Sequence, residues 1–250
     1  MAKIVKIKSE LKSNKNKAFL YSALSFVFAL LFFCGGIGLL VAILLKKLEI
    51  SVVYSVIPLA LSLVLILVTA TNRKKHAVLK SGVNGEKATL QALKGLPKGY
   101  TVITNPVLYN RGSANELDFV VVGKNGVFIV EAKNYRGIIV GNTSQQSWKQ
   151  IKYGKNGNTY EKEVKNPIKQ AHRQAGRMLE LFKDLKITAD VYQILYFADS
   201  NSELRITDDA VSNVAVIKGE SALLDYILHT ESKRTVKSDD IGKIRDIFKN

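Results

Sequence analysis

The chain has 250 residues, a formal charge of +16 and a single cysteine, Cys34, set in an apolar run. That count excludes a disulfide framework and a cysteine-built zinc site, and His76, His172 and His229 show no metal-ligand spacing. The charge is uneven: residues 1–17 and 18–80 carry +5 each and residues 81–250 carry +6, so most of the excess flanks apolar sequence, where it sets membrane topology rather than marking a nucleic-acid surface.

Residues 1–17 read as a basic tail bearing Lys3, Lys6, Lys8, Lys12, Lys15 and Lys17. Ala18 to Leu45 is apolar and almost uncharged. At 1.5 Å per residue it makes roughly 42 Å of helix, enough to cross a hydrocarbon core of about 30 Å with tilt. It is too long for a signal peptide, and no small-residue cleavage site precedes a soluble stretch. Lys46-Lys47-Leu48-Glu49 interrupts it, and a second apolar run, Ile50 to Ala70, follows with Pro58 inside, which membrane helices tolerate. We expect a two-helix transmembrane hairpin over residues 18–72. The alternative, two buried helices of a soluble core, leaves no polar face to meet water. Six lysines in the tail and Arg73, Lys74, Lys75 and Lys80 outweigh Lys46 and Lys47 in the turn, which puts both termini in the cytoplasm.

The soluble part opens with Ser81-Gly82-Val83-Asn84-Gly85-Glu86 and a short helix that stops at Gly95-Leu96-Pro97-Lys98-Gly99. Glu86 falls in its first turn, where the helix dipole favours an acid whatever its function. A strand in Tyr100–Tyr109 is broken at Asn105-Pro106, and the polar stretch from Asn110 through Arg111 to Asn115 leads into the central hairpin. Its two apolar runs hold Glu116-Leu117-Asp118 and Val127-Phe128-Ile129-Val130-Glu131-Ala132-Lys133, joined by Gly123-Lys124-Asn125-Gly126. Side chains two apart on a strand share a face, so Glu131 and Lys133 project together, and Asp118 joins them if the strands pair. Two carboxylates and an ammonium at the end of such apolar strands suit a hard divalent cation beside a lysine that handles its water. A solvated, ion-paired strand end is the competing reading.

Residues 134–165 read as a small β-hairpin excursion turning at Lys155-Asn156-Gly157-Asn158. Lys149, Lys152, Lys155, Lys162 and Lys165 alternate there with Trp148, Tyr153 and Tyr160, a mixture that can hold a nucleic-acid strand or form a solvated loop pinned by the tryptophan. Asn166-Pro167 starts a helix that runs to about Leu185. Gln170, Arg173, Gln174 and Arg177 share one of its faces, which reads either as a contact for phosphate and metal-bound water or as plain solvated surface. Val191–Phe197 is a buried strand. An apolar run at 214–217 and helical stretches at 220–230 and 239–249 are assigned to packing.

In order, these elements resemble the PD-(D/E)XK nuclease-like fold, and more closely the nuclease-related domain called NERD. The resemblance covers residues 82–200 and leaves 201–250 as a C-terminal packing extension. It rests on Gly82-x-x-Gly85-Glu86, Glu116-Leu117-Asp118, Gly126 through Asn134 with Gly137, Trp148, and Asn166-Pro167-x-x-Gln170. Leu117 stands where the fold's name expects proline, a residue that ligates nothing. The resemblance implies an α/β fold, a mixed sheet flanked by helices, here preceded by the transmembrane hairpin. It implies that Asp118, Glu131 and the Ala132 backbone carbonyl hold Mg²⁺ or Mn²⁺, with Glu86 assisting, that Lys133 orients or deprotonates the attacking water, and that Gln170 positions the group. Trp148, Lys149, Lys152, Arg173 and Arg177 are the expected nucleic-acid contacts. The implied activity is phosphodiester hydrolysis of DNA, or of RNA, on the cytoplasmic side of a lipid bilayer. Two alternatives remain: a tethered nucleic-acid-binding module without catalysis, and a membrane scaffold for a protein partner.

Overall fold

The computed structural model describes residues 1–110, 112–154, 156–207 and 213–248; Arg111, Lys155 and the final residue of the stretch 239–249 lie outside these. The chain forms two compact units, one of residues 10–83 and the other of residues 1–9 with 84–250.

The first unit is a pair of helices, α1 (Glu10–Leu44) and most of α2 (Val53–Leu93). Both are long and apolar enough to cross a membrane. Leu, Ile, Val and Phe side chains stand exposed around them, whereas the buried positions up to Thr69 are small or hydroxylic: Ala18, Ser22, Ser25, Ala29 and Gly36 on α1, Ser55, Ser62 and Thr69 on α2; Val83, at the end of the unit, is buried as well. Small side chains let two backbones approach, and buried hydroxyls then find partners on the helices themselves. The Ser25 and Thr69 hydroxyls meet at 2.8 Å.

The short helix expected to begin near Ser81 is not separate. It is the last part of α2, which runs unbroken to Leu93. Between Pro58 and Pro97 the sequence offers no proline, and Gly82 and Gly85 each cost a helix only about 1 kcal/mol. Glu86 therefore lies far inside a helix, where no N-terminal dipole acts on it.

The second unit is built on a six-stranded mixed sheet ordered β1-β2-β5-β6-β10-β12. Its strands are β1 (Lys3–Lys6), β2 (Thr101–Thr104), β5 (Phe119–Gly123), β6 (Gly126–Lys133), β10 (Val191–Phe197) and β12 (Val214–Lys218). Two hairpin strands, β3 (Val107–Asn110) and β4 (Ser113–Glu116), stand apart from it. The start of the supposed basic tail is thus not a tail: Lys3–Lys6 pairs parallel with β2 as an edge strand of the main sheet. Nor is the excursion a simple hairpin. Strands β7 (Gly137–Asn142), β8 (Ser147–Tyr153), β9 (Thr159–Lys165) and β11 (Ser202–Thr207) make a four-stranded sheet ordered β11-β7-β8-β9.

Alternation along β5 and β6 divides the core between the two faces of the main sheet. Val120, Val122, Val127 and Ile129 pack with Met178 and Phe182 of α3 (Pro167–Asp184) and Ile244 of α5 (Ser238–Ile247). Phe119, Val121, Phe128 and Val130 pack with Leu93 of α2 and with Leu223 and Ile227 of α4 (Glu220–His229). Residues beyond 200 therefore do more than pack on a finished domain: β12 is a strand of the sheet, and α4 and α5 close its two faces.

Candidate active site

The tight turn at Lys124-Asn125 pairs β5 with β6 so that Phe119 lies opposite Val130. One step further along the same register sets Asp118 opposite Glu131, on the face that looks toward α3. Asp118 sits where β4 gives way to β5, and its Oδ2 accepts the Ala132 backbone N–H at 2.8 Å. Glu131 is 4% exposed. Its Oε1 takes the Lys133 ammonium at 2.5 Å and its Oε2 takes the Gln174 amide at 3.0 Å. Strand alternation delivers Glu131 and Lys133 to one side, as the sequence suggested.

Glu86 arrives from α2. The helix comes close to the β6–β7 junction because Gly85 has no side chain: a Cβ there would stand 2.7 Å from the Asn134 Cβ. Asn105 then joins Glu86 to Asp118. Its backbone N–H donates to the Asp118 carbonyl at 2.9 Å, and its side chain hydrogen-bonds the Glu86 carboxylate. Asn105 is buried and left-handed, φ 53°, a conformation asparagine tolerates better than most residues. The sequence showed it only as a strand break before Pro106. Ser9, next to the edge strand β1, reaches Glu86 Oε2 at 3.5 Å.

The four ionisable groups feel one another. Burial pushes the Asp118 carboxyl well above the usual carboxylate range; Glu131 and Glu86 push the same way, against Lys133 and the Ala132 N–H. Burial also raises Glu86, helped by Glu116 and Glu131 and opposed by its bonds to Asn105 and Ser9. For Lys133, burial disfavours the charge, but Glu131 and Asp118 together outweigh it and hold the ammonium above its ordinary value. Clustered acids that resist ionisation are characteristic of sites that take a cation or handle a proton.

The remaining expected residues fall into two groups. Gln170 lies half-buried one turn before Gln174 and makes no hydrogen bond among the described residues; Gln174 is the amide that touches Glu131. Arg173 is exposed and Arg177 half-buried on the same helix. Lys149 is exposed and ion-paired to Glu161 at 3.1 Å, and Lys152 is half-buried. Trp148 cannot serve as a stacking platform. It is 1% exposed, packs with Ile139, Val164, Ile168 and Phe197, and donates its indole N–H to the Asn142 carbonyl at 2.8 Å. The exposed aromatics of this sheet are Tyr153 and Tyr160.

The second unit is thus an α/β domain, a mixed sheet flanked by helices, with an Asp–Glu–Lys group at the end of its central hairpin. Residues 81–198 match the family model described as NERD, nuclease-related domain. An uncharacterized protein of Bacillus anthracis is 39% identical over 79 residues, which cover 31% of this chain and 37% of that protein. The chain thus spans little more than a third of that relative's length. No solved structure matches the chain.

Proposed function

We propose that the chain is a membrane-anchored, divalent-metal-dependent nuclease that hydrolyses phosphodiester bonds, DNA foremost, with the NERD domain on the cytoplasmic side. The observation that carries this reading is the joining of Asp118, Glu131 and Lys133 at one strand end with Glu86 coupled to them. A site meant only for binding phosphate has no use for three acids.

Among the described residues no group of three or more His, Cys, Asp or Glu side chains is arranged to hold a metal. The donors present still fit Mg²⁺ or Mn²⁺. Mg²⁺ keeps most of its waters and needs only one or two carboxylates plus substrate oxygen, and a desolvated Asp118 gains by giving its charge to a cation. Asp118, Glu131 and the Ala132 carbonyl would hold the ion, with Glu86 assisting. Bound there, it would supply Lewis-acid stabilisation of the scissile phosphate.

The protein's own groups do the rest. The Ala132 N–H fixes Asp118, and Gln174 and Lys133 fix the two oxygens of Glu131. Lys133, held charged, serves as a hydrogen-bond donor to water or phosphate. It becomes a base only when its carboxylate neighbours are neutralised. Lys152, Lys162 and the exposed Tyr153 and Tyr160 offer the nucleic-acid surface that Trp148 cannot.

The test is a cleavage panel of single- and double-stranded DNA and RNA, using the full chain in detergent with Mg²⁺, Mn²⁺ or EDTA, beside Asp118→Ala and Lys133→Ala. Metal-dependent cutting that both variants lose supports the reading. Salt-sensitive binding without cutting under either ion selects the binding module. Neither binding nor cutting leaves the scaffold.

A further inference from the structure

Where the two long helices meet at their basic end, α1 and α2 enclose a half-open cleft of about 480 Å³, lined by Phe19, Ser22, Ala23, Phe26, Val27, Arg73 and His76. Its walls have two chemistries. Phe19, Ala23, Phe26 and Val27 are apolar and belong to the stretch of α1 that starts its membrane-crossing run. Arg73 and His76 are one helical turn apart on α2, with Lys80 continuing the same face. The Arg73 guanidinium lies 5.5 Å from the centre of the Phe26 ring, and His76 lies 5.6 Å from Phe19, ring to ring.

The charge of Arg73 is unanswered. It has no carboxylate partner among the described residues, and the only acid between Lys12 and Lys80 is Glu49, in the turn at the opposite end of the helices. Lys12 and Lys15 extend the α1 stripe of Phe19, Ser22 and Phe26 by further turns, and Lys17, Lys74 and Lys75 lie at the same end. An arginine stacked by one face on an aromatic ring keeps its edge N–H groups for a phosphate, which it grips with two parallel bonds.

We propose that this cleft binds an anionic phospholipid, its phosphate on Arg73 and His76 and one acyl chain along Phe19, Phe26 and Val27. The inference rests on reading α1 and α2 as a membrane hairpin. A cleft with a cationic rim and an apolar floor at the end of two spanning helices is matched by a molecule with an anionic head and a hydrocarbon tail. A nucleic-acid base can stack on Phe26, but a nucleic acid has no hydrocarbon chain to lay along Ala23 and Val27.

The full chain, reconstituted in vesicles of phosphatidylcholine alone or mixed equally with phosphatidylglycerol, tests this. Flotation reads insertion, and native mass spectrometry after detergent release reads which lipid stays bound. The expected result is insertion in both vesicles with several-fold preferential retention of phosphatidylglycerol. Arg73→Gln should cut that preference about fivefold or more, and Phe26→Leu, which removes the ring under the guanidinium, about twofold, with flotation unchanged. Glycerol phosphate in excess should displace no lipid; displacement would make this a site for free phosphate and overturn the proposal. Equal retention of both lipids, or an Arg73→Gln variant that behaves as wild type, overturns it while leaving the hairpin intact. Failure to float with either vesicle overturns the hairpin, and the lipid site with it.

Discussion

Gln174 donates its side-chain amide to Glu131 at 3.0 Å while its own carbonyl oxygen, buried in the same place, has no partner among the described residues. A helix-borne amide therefore orients the central carboxylate of the sheet. Support of this kind around a ligating carboxylate is typically worth 10- to 100-fold in metal affinity. Gln174→Ala should weaken Mn²⁺ or Mg²⁺ binding at least about tenfold by calorimetric titration, with Gln170→Ala changing it less than about twofold. The reverse order would return the positioning role to Gln170.

Asp118 should cost the protein stability when no metal is bound. Its carboxyl is raised well above the usual range, first by burial and then by Glu131. The folded state therefore binds its proton more tightly than the unfolded chain does. Stability from this group is greatest below the pH at which an unfolded aspartate ionises, and it is lost as pH rises toward the folded value. A tenfold difference in proton affinity between the folded and unfolded chain corresponds to about 1.4 kcal/mol. An asparagine in place of Asp118 keeps an oxygen for the Ala132 N–H but carries no charge. Metal-free Asp118→Asn should thus melt higher than wild type at pH 7, by about 1 kcal/mol or more, with the gain shrinking toward pH 4. A variant that melts lower at pH 7 would show that attraction to Lys133 outweighs desolvation.

The pieces of this site that the sequence displayed are those governed by short-range periodicity. Glu131 and Lys133 share a face because strands alternate, and the turn between Gly123 and Gly126 fixes which residue lies across from Glu131. Asn166-Pro167 announced α3, and the Asn166 side chain caps it by accepting the Ile168 N–H at 2.9 Å. What stayed hidden depends on how distant elements meet. Gln170 and Gln174 lie on one helical face, and only the docking of α3 selects the second. Asn105 could not be recognised before its corner was seen to touch both α2 and the end of β5. β1 is four residues that pair with a strand nearly a hundred positions away, and no local pattern distinguishes it from a lysine-rich tail. Trp148 among lysines has the composition of a nucleic-acid surface, and only burial separates a core residue from a platform.

Trp148 should matter for folding and not for binding. It fills the space under the second sheet so closely that a Cβ on Gly141 would fall 2.2 Å from its ring. Trp148→Ala should cost about 3–5 kcal/mol in denaturant unfolding. Gly141→Ala should also destabilise, because the indole is rigid and boxed in. Trp148→Phe should lose the bond to Asn142 yet leave DNA affinity within about twofold in fluorescence anisotropy. A tenfold loss of affinity in a well-folded Trp148→Phe would restore its contact role.

The unit built on the six-stranded sheet should need the first nine residues of the chain. Ala2 N–H bonds to the Leu96 carbonyl at 2.8 Å, Lys3 to Tyr100 at 2.9 Å and Ile7 to Thr104 at 3.2 Å, and Val5 and Ile7 pack on the core. Without them β2, all four of whose residues are buried, becomes an open apolar edge, the kind of strand that pairs with other copies. Hydrogen bonds of about 1 kcal/mol each and two aliphatic side chains suggest a loss of about 3–5 kcal/mol. Ser9 lies beside Glu86, so a short flexible linker can join residues 1–9 directly to 84–250. That fusion should be soluble and monomeric by size-exclusion chromatography with light scattering, whereas 84–250 alone should aggregate or melt at least about 10 °C lower. Equal melting and equal monodispersity of the two would mean that β1 adds nothing to the sheet it borders.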